Sequence, residues 1–455
     1  MIFCALTLGC KVNQYETQAI ESILISRGHV RREAGQGCDV CIINTCAVTA
    51  ESARKSRQAV RRMKRLEPFS LIAVCGCLSQ LEPSAAAKLG ADIVGGSGDR
   101  SQFADDIERL AQQNAEYEEN RNEQFTLHHG SGDRRQESEN SVLFSTLYSH
   151  TDNRVFEDLP PGGSPGRTRA LLKIQDGCDN YCAYCVIPYA RGRSRSLPIP
   201  RIADYAAKLD SGGFREIIIT GIEISSYGKD LPDGATLTDV VRAICAAAPN
   251  ARVRLGSLDP SVVTTAFCQE LSTLPAMCNH FHLSLQSGCD ETLLRMGRKY
   301  GAEAVLEMIS SLRQWFPDCG VTADLITGFP GETEDEFRQT LDFIKTAAFS
   351  DMHIFPFSPR SVTRAAAMPG QVGKSIRLER ARTASALAAD MALAFRIGQV
   401  GKIVDVLFER ERGGCLSGHS GNYIEISVRE GGAKNAVCPV QITGIADGIV
   451  TGEIS

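Results

Sequence analysis

No run of about 18 consecutive apolar residues occurs in the 455-residue chain, so no membrane-spanning helix is expected. The start, Met1-Ile2-Phe3-Cys4-Ala5-Leu6-Thr7, has neither a basic stretch nor a long apolar core, so no secretory signal is expected and the compartment read is the cytoplasm. A glycine-rich phosphate loop is also missing: Gly95-Gly96-Ser97-Gly98 lacks the remaining positions and the lysine, and reads as a turn. A large net charge of either sign is absent, with 49 Lys+Arg against 54 Asp+Glu and a formal net of −5. An even thiol count is missing too. Seventeen cysteines cannot all pair, and in a reducing compartment many cysteines point to metal ligands or catalysis rather than disulfides. What remains is a chain that is 43% hydrophobic, ordinary for packed cores, and long enough for two to three domains at roughly 150 residues each.

Four short apolar runs, at 2–8, 39–44, 71–74 and 92–94, each precede a helix-like pattern, at 13–27, 51–66, 79–89 and 100–111. Short buried strands alternating with amphipathic helices predict a parallel α/β sheet in a first domain, residues 1–115. Between 103 and 158 lie thirteen acidic and five basic residues, a net of −8, which leaves the rest of the chain at +3. Residues 116–166 are therefore expected to be an acidic linker. The alternation resumes over 167–397, with strands expected at 170–174, 216–220, 252–255, 280–285, 321–326 and 352–355. Six βα units suggest a partial (β/α)6 barrel rather than the eight-unit form. A helical connector at 377–395 leads to five strand-like runs in 398–455, the pattern of a small antiparallel β-barrel. The segment 396–455 is almost neutral, with six basic and seven acidic residues.

The strongest chemical signal is Asp176-Gly177-Cys178-Asp179-Asn180-Tyr181-Cys182-Ala183-Tyr184-Cys185, directly after a predicted strand. Its three thiolates can face one iron–sulfur cluster, and with no fourth cysteine nearby one iron is left open. A zinc knuckle would need a fourth Cys or His, and none occurs up to Pro200. A second set, Cys10, Cys46 and Cys77, lies just beyond the first three strands. Neighbouring parallel strands end on one edge, so these distant residues are expected to converge there. Cys4, Cys41 and Cys75 fall in strands, where a thiol packs as a small hydrophobe. Cys38-Asp39-Val40-Cys41 has redox-motif spacing but enters a strand instead of opening a helix, and reads as structural. Cys245, Cys268, Cys278, Cys289, Cys319, Cys415 and Cys438 are isolated and read as packing residues. His128-His129 has no partner ligands.

Basic residues cluster at Arg54, Lys55, Arg57, Arg61, Arg62, Lys64 and Arg65, at Arg191, Arg193, Arg195 and Arg201, and at Arg360, Arg364, Lys374, Arg377, Arg380 and Arg382. Such density suits RNA phosphate contacts, although a run of charge is more often a solvated helix face. For 191–195, beside the cysteine loop, the functional reading is favoured.

These motifs resemble the radical S-adenosylmethionine (SAM) methylthiotransferase family over nearly the whole chain outside the acidic segment. The Cys178-x3-Cys182-x2-Cys185 loop with Tyr184, the stretch Val186–Ser196, Leu283-Ser284-Leu285-Gln286-Ser287-Gly288-Cys289 and Thr327-Gly328-Phe329-Pro330-Gly331-Glu332-Thr333 all match its patterns. Thr7-Leu8-Gly9-Cys10-Lys11-Val12-Asn13-Gln14-Tyr15-Glu16-Thr17 and the run from Ile219 to Asp230 resemble the branch acting on threonylcarbamoyladenosine at position 37 of tRNA. The C-terminal barrel resembles the OB-like, RNA-binding TRAM module.

The resemblance implies a division of labour. A 4Fe–4S cluster on Cys178, Cys182 and Cys185 would bind SAM and yield a 5′-deoxyadenosyl radical. A second, on Cys10, Cys46 and Cys77, would present sulfur, and a second SAM would give the methyl group. An aromatic C2–H is unactivated, so cofactors carry this chemistry. Weaker SAM-pocket candidates are Tyr184 in the loop and the strand-end residues Gly221, Glu223, Ser257, Gln286, Gly328 and Phe329. The glycines read alternatively as turns, and Ser257 as a helix cap. Implied partners are tRNA, a sulfur donor and a low-potential electron donor, and a monomer is expected. The competing readings are a methylthiotransferase for isopentenyladenosine or a ribosomal-protein aspartate, and a non-catalytic iron–sulfur RNA-binding protein.

Overall fold

The computed structural model describes residues 1–127, 142–152, 154–162, 167–446 and 448–455. His128 and His129 lie outside them. The chain divides into two compact units. One comprises Met1–Gly162 with Val186–Arg193, and the other Gly163–Cys185 with Ser194–Ser455.

The first unit begins with β1 (Ile2–Thr7), α1 (Lys11–Ser26), β2 (Val30–Arg31), β3 (Val40–Thr45), α2 (Ala50–Leu66) and β4 (Leu71–Gly76). It continues through α3 (Cys77–Leu81), α4 (Pro83–Lys88), β5 (Ile93–Gly95), α5 (Arg100–Leu127) and β6 (Leu143–Ser145). The strands form one parallel sheet in the order β2-β1-β3-β4-β5-β6. Apolar side chains cover both faces, one with Phe3, Ile20, Ile42 and Phe103, the other with Ile43, Val60, Ile72 and Val94. That is why the strands read as unbroken apolar runs. The helix expected at 79–89 is two helices, because Pro83 lacks the N–H that would continue the first and starts the second instead. The acidic segment departs from the linker expectation at both ends: α5 continues to Leu127, and β6 pairs with β5. Composition showed the charge but not the short strand inside it.

The second unit contains β7 (Arg169–Lys173), β8 (Gln175–Asp176), β9 (Arg195–Ser196), α7 (Ile199–Ser211), β10 (Glu216–Thr220), α8 (Leu237–Ala247), β11 (Arg252–Leu255) and β12 (Ser257–Leu258). The helix α6 (Ile187–Arg191), which precedes β9 in the chain, belongs to the first unit. Next come α9 (Thr265–Ser272), β13 (His280–Gln286), α10 (Asp290–Met296), α11 (Ala302–Trp315), β14 (Gly320–Thr327), α12 (Glu334–Ala347), β15 (Asp351–Pro356), α13 (Arg364–Ala367) and α14 (Lys374–Ile397). The parallel strands run β7-β10-β11 and β12-β13-β14-β15. Only Gly256 separates β11 from β12, so the third of six βα strands is broken there. A Cβ at Gly256 would stand 2.8 Å from the Ile219 carbonyl oxygen. The six strands match those expected from sequence.

The C-terminal strands β16 (Ile403–Arg412), β17 (Cys415–Ser420), β18 (Glu425–Val428), β19 (Val437–Ala446) and β20 (Ile449–Ile454) close a five-stranded barrel. It is antiparallel except between β18 and β20. Arg254 ties it to the core: its Nε donates to Glu216 at 2.9 Å, while its Nη1 donates to the Gly421 carbonyl at 2.8 Å. No helix among the described residues is long and apolar enough to cross a membrane.

Candidate active site

In the first unit, β1, β3 and β4 are neighbours, so their carboxyl ends share an edge. Cys10 follows β1 and precedes α1, Cys46 follows β3, and Cys77 opens α3. Glycine makes this approach possible at two places. Gly9 has φ +107°, and a Cβ there would be 2.8 Å from the Cys46 Cβ. Gly76 has φ +103°, and a Cβ there would be 2.4 Å from Asn44 Oδ1 and 2.5 Å from the Thr45 carbonyl oxygen. Side chains then lock the loops together. Asn13 Nδ2 donates to the carbonyls of Leu8 at 2.8 Å and Thr45 at 3.0 Å, joining the ends of β1 and β3. Ser56 Oγ accepts from the Cys46 N–H at 3.0 Å.

A buried cation faces this edge. Arg191, on α6, has no exposure and donates to Glu16 Oε1 at 2.7 Å and to Asn13 Oδ1 at 2.8 Å. Glu16 is shared with the equally buried Arg100 at 2.8 Å. Burial pushes the Cys46 and Cys77 thiols above their ordinary range, and the Arg191 guanidinium pulls both back toward ionisation. Metal ligation needs thiolates, and a fixed cation offsets the cost of gathering them. Asn44 Oδ1 is buried here without a hydrogen-bond partner. Three thiols and a compensating guanidinium fit an anionic thiolate cluster.

This geometry corrects one expectation from sequence. Arg191 and Arg195 do not present their charge to RNA. Arg191 is enclosed as described, and Arg195 is buried with its Nη2 3.0 Å from Asp176. Only Arg193 of the three is exposed. Arg380 is likewise buried, donating to Glu332 at 2.9 Å. Charge was visible in the sequence, but its partners came from other elements.

In the second unit the Cys178–Cys185 loop leaves β8 through Gly177 at φ +72° and turns at Tyr181, φ +44°. Gln175 organises it. Its amide nitrogen donates to the Gly177 carbonyl at 2.8 Å, and its amide oxygen accepts from the Glu223 N–H at 2.8 Å. Two donors already face sulfur: the Asn180 N–H lies 3.5 Å from Cys178 Sγ, and Arg298 Nη1 lies 3.4 Å from Cys182 Sγ. Arg298 is itself fixed by Asp259 at 2.7 Å. N–H donors around thiols are what a thiolate-bound cluster requires. Burial pushes the Cys178 thiol up to about 12, and the nearby Glu223 carboxylate adds to this. Glu223 itself is pushed up to about 7 by burial and by Asp259.

The weaker candidates separate by contact. The Tyr184 ring meets Phe329 edge-on at 6.5 Å, and Phe329 meets Phe357 at 5.3 Å, so the GFPGE turn supports the loop. The N–H groups of Gly328 and Phe329 donate to Glu332 at 2.9 and 3.2 Å, which makes both turn residues. Gly221 permits close packing, since a Cβ there would be 3.0 Å from the Gln175 carbonyl oxygen. Gln286 ends β13 at φ +73°, and Ser257 is exposed on β12. Sequence reasoning missed Gln175, Arg298 and Asp259, which carry no local motif. It also missed a run across three adjacent strands, where Asp324 lies 3.2 Å from His282 and 3.3 Å from His353.

On α2, Arg54 and Lys55 face Glu51, and Arg57 faces Glu82. Arg61, Arg62, Lys64 and Arg65 are exposed, have no acidic partner among the described residues, and line a cavity of about 570 Å³ with Gln58 and Leu89.

Comparison with known proteins fits this architecture. The radical SAM superfamily model matches residues 172–344, and the model described as uncharacterized protein family UPF0004 matches residues 3–96. The fold resembles that of the radical SAM methyltransferase TsrM from Kitasatospora setae, with a TM-score of 0.55 and 15% identity, covering 80% of this chain and 75% of that one. The chain is thus a radical SAM enzyme, a class that carries a 4Fe–4S cluster and SAM. It is 34% identical over 426 residues, 92% of its length and 88% of the relative's, to threonylcarbamoyladenosine tRNA methylthiotransferase MtaB of Bacillus subtilis. It is 31% identical over 417 residues, 90% and 87% of the two lengths, to tRNA-2-methylthio-N(6)-dimethylallyladenosine synthase of Moorella thermoacetica. The chain belongs to the MtaB family of tRNA methylthiotransferases.

Proposed function

We propose that this protein replaces C2–H by C2–SCH3 on N6-threonylcarbamoyladenosine at position 37 of tRNA, using two 4Fe–4S clusters. The observation that carries the reading is the pair of three-cysteine sets, Cys10/Cys46/Cys77 and Cys178/Cys182/Cys185, in a chain of this family. When bound, the clusters and SAM supply the radical, the sulfur and the methyl group. The chain's own residues do the rest. Arg191 balances the charge of the first set, Arg298 and the Asn180 N–H orient sulfurs of the second, and Tyr184 against Phe329 holds the loop closed. Placing reactants in line is worth several orders of magnitude in rate. The Arg61/Arg62/Lys64/Arg65 face of α2 and Arg193 supply phosphate contacts to tRNA, with the C-terminal barrel as a TRAM-like RNA-binding module. The protein acts in the cytoplasm as a monomer and draws on a sulfur donor and a low-potential electron donor.

Mass spectrometry of tRNA nucleosides from a deletion strain tests the substrate. Loss of methylthiolated threonylcarbamoyladenosine supports the reading, and an unchanged level with no redundant enzyme present overturns it. The identity to the Moorella relative favours dimethylallyladenosine as the second reading. Loss of its methylthio derivative instead would move the assignment there.

A further inference from the structure

A third set of cysteines assembles in the first unit, away from the carboxyl-end edge. Cys4 on β1 and Cys41 on β3 are register partners, so their side chains leave the sheet on one face, and their sulfurs are 3.3 Å apart. Cys38, three residues before Cys41, brings its sulfur to 3.5 Å from that of Cys41. All three sulfurs lie within 4.8 Å of one another. The chain is shaped to hold Cys38 inward. Ser70 Oγ donates to the Cys38 carbonyl and stands 3.6 Å from its sulfur. The buried Glu67 carboxylate accepts from the N–H groups of Gly35 at 2.6 Å and Gly37 at 3.2 Å, closing the preceding loop. Cys4 and Cys41 are buried, while Cys38 is half-buried and gives the set its opening.

The chemistry of this set is narrow. Among the described residues no histidine or carboxylate joins the group, so its ionisable donors are sulfur only, which suits soft d10 cations and not magnesium, calcium or manganese. A tetrahedral zinc site with Zn–S bonds of about 2.3 Å separates its sulfurs by roughly 3.8 Å, within half an ångström of the two contacts above. We propose that Cys4, Cys38 and Cys41 form a zinc site distinct from the two cluster sites, with Ser70 Oγ or a water at the fourth position on the open side. Zinc suits the set better than copper(I). Three thiolates leave a net charge of −1 around zinc against −2 around copper(I), and an apolar wall of Ile43, Val60, Met63 and Ile72 disfavours the larger residual charge.

The test uses the full chain, purified anaerobically with its iron–sulfur content intact. Zinc alone is added, then excess is removed against a weak chelator. Native mass spectrometry should show one zinc per chain beyond the cluster iron, and Cys38 should be shielded from iodoacetamide. Cys41→Val should lose the zinc. Cys38→Ala, at the half-buried ligand where folding is least at risk, should lose it too, with iron content unchanged in both. Absence of zinc from the native chain, or zinc binding that survives both substitutions, overturns the proposal. Retention of copper(I) but not zinc in a parallel titration overturns the choice of metal. A Cys4–Cys41 or Cys38–Cys41 disulfide under diamide, with no zinc bound by the reduced chain, overturns the site and makes it a redox pair.

Discussion

The two proposed cluster sites each hold three cysteines, by opposite means. Cys178, Cys182 and Cys185 sit within eight residues, and one loop carries them all. Cys10, Cys46 and Cys77 come from three strands, and the sheet gathers them. The loop is stabilised from outside, by Gln175, Arg298 and the Tyr184–Phe329 contact. The dispersed set is stabilised from beneath, by a buried glutamate between two arginines. A local motif keeps its ligands together wherever it is placed. A dispersed one exists only while the sheet register and the charge below it are intact, and is therefore the more fragile of the two.

The largest effect should come from the ligands. Cys182→Ala should abolish both SAM cleavage and methylthiolation. Cys46→Ala should abolish methylthiolation and lower iron content while 5′-deoxyadenosine is still formed with dithionite. Equal loss of cleavage in both variants would erase the distinction between the sites. Next, Glu16→Ala leaves two guanidiniums buried without their carboxylate, a loss of about 3–5 kcal/mol in urea unfolding. Iron should fall at the first set while SAM cleavage persists in the folded fraction. A stability change under about 1 kcal/mol would show that the charge beneath the dispersed set is not what holds it.

The second unit offers the control, because it also buries a glutamate among arginines but away from any cysteine ligand. Burial raises the Glu216 carboxyl, yet Arg254 and Arg252 outweigh it and bring it down to about 2 from an ordinary 4.5. A depressed carboxyl stabilises the fold when ionised, so its contribution is full above pH 4.5 and fades as the pH falls toward about 2. Glu216→Gln should cost about 3 kcal/mol at neutral pH, and the gap to the parent chain should narrow between pH 5 and 3, with iron at the first set unaffected. A gap independent of pH would refute the ionised-glutamate account. The smallest effect should be that of Gly76→Ala. A Cβ there meets backbone at φ +103°, at a cost of about 1–3 kcal/mol, and iron analysis should show partial loss at the dispersed set only.

Much of this was legible from residues in order. The strands of both units carry apolar runs whose ends fall close to where the structure places them, and α2 begins one residue before its predicted span and ends with it. The loop motif announced itself by spacing alone. The linker did not: the three-residue strand β6 is too short to stand out against its acidic surroundings. Basic residues misled for a related reason. Arg191 and Arg195 look like a surface patch beside an active loop, yet Glu16, 175 residues away from the first, and Asp176 claim them.

By itself, the sequence determined the alternation of strands and helices, the three-cysteine loop and its missing fourth ligand, because periodicity and short spacing are local properties of a chain. The tertiary structure alone decided which charges are buried, which amides face sulfur, and that Cys4 meets Cys38 and Cys41. Those depend on which strand lies beside which, and the sheet order β2-β1-β3-β4-β5-β6 places side by side residues that the chain keeps far apart.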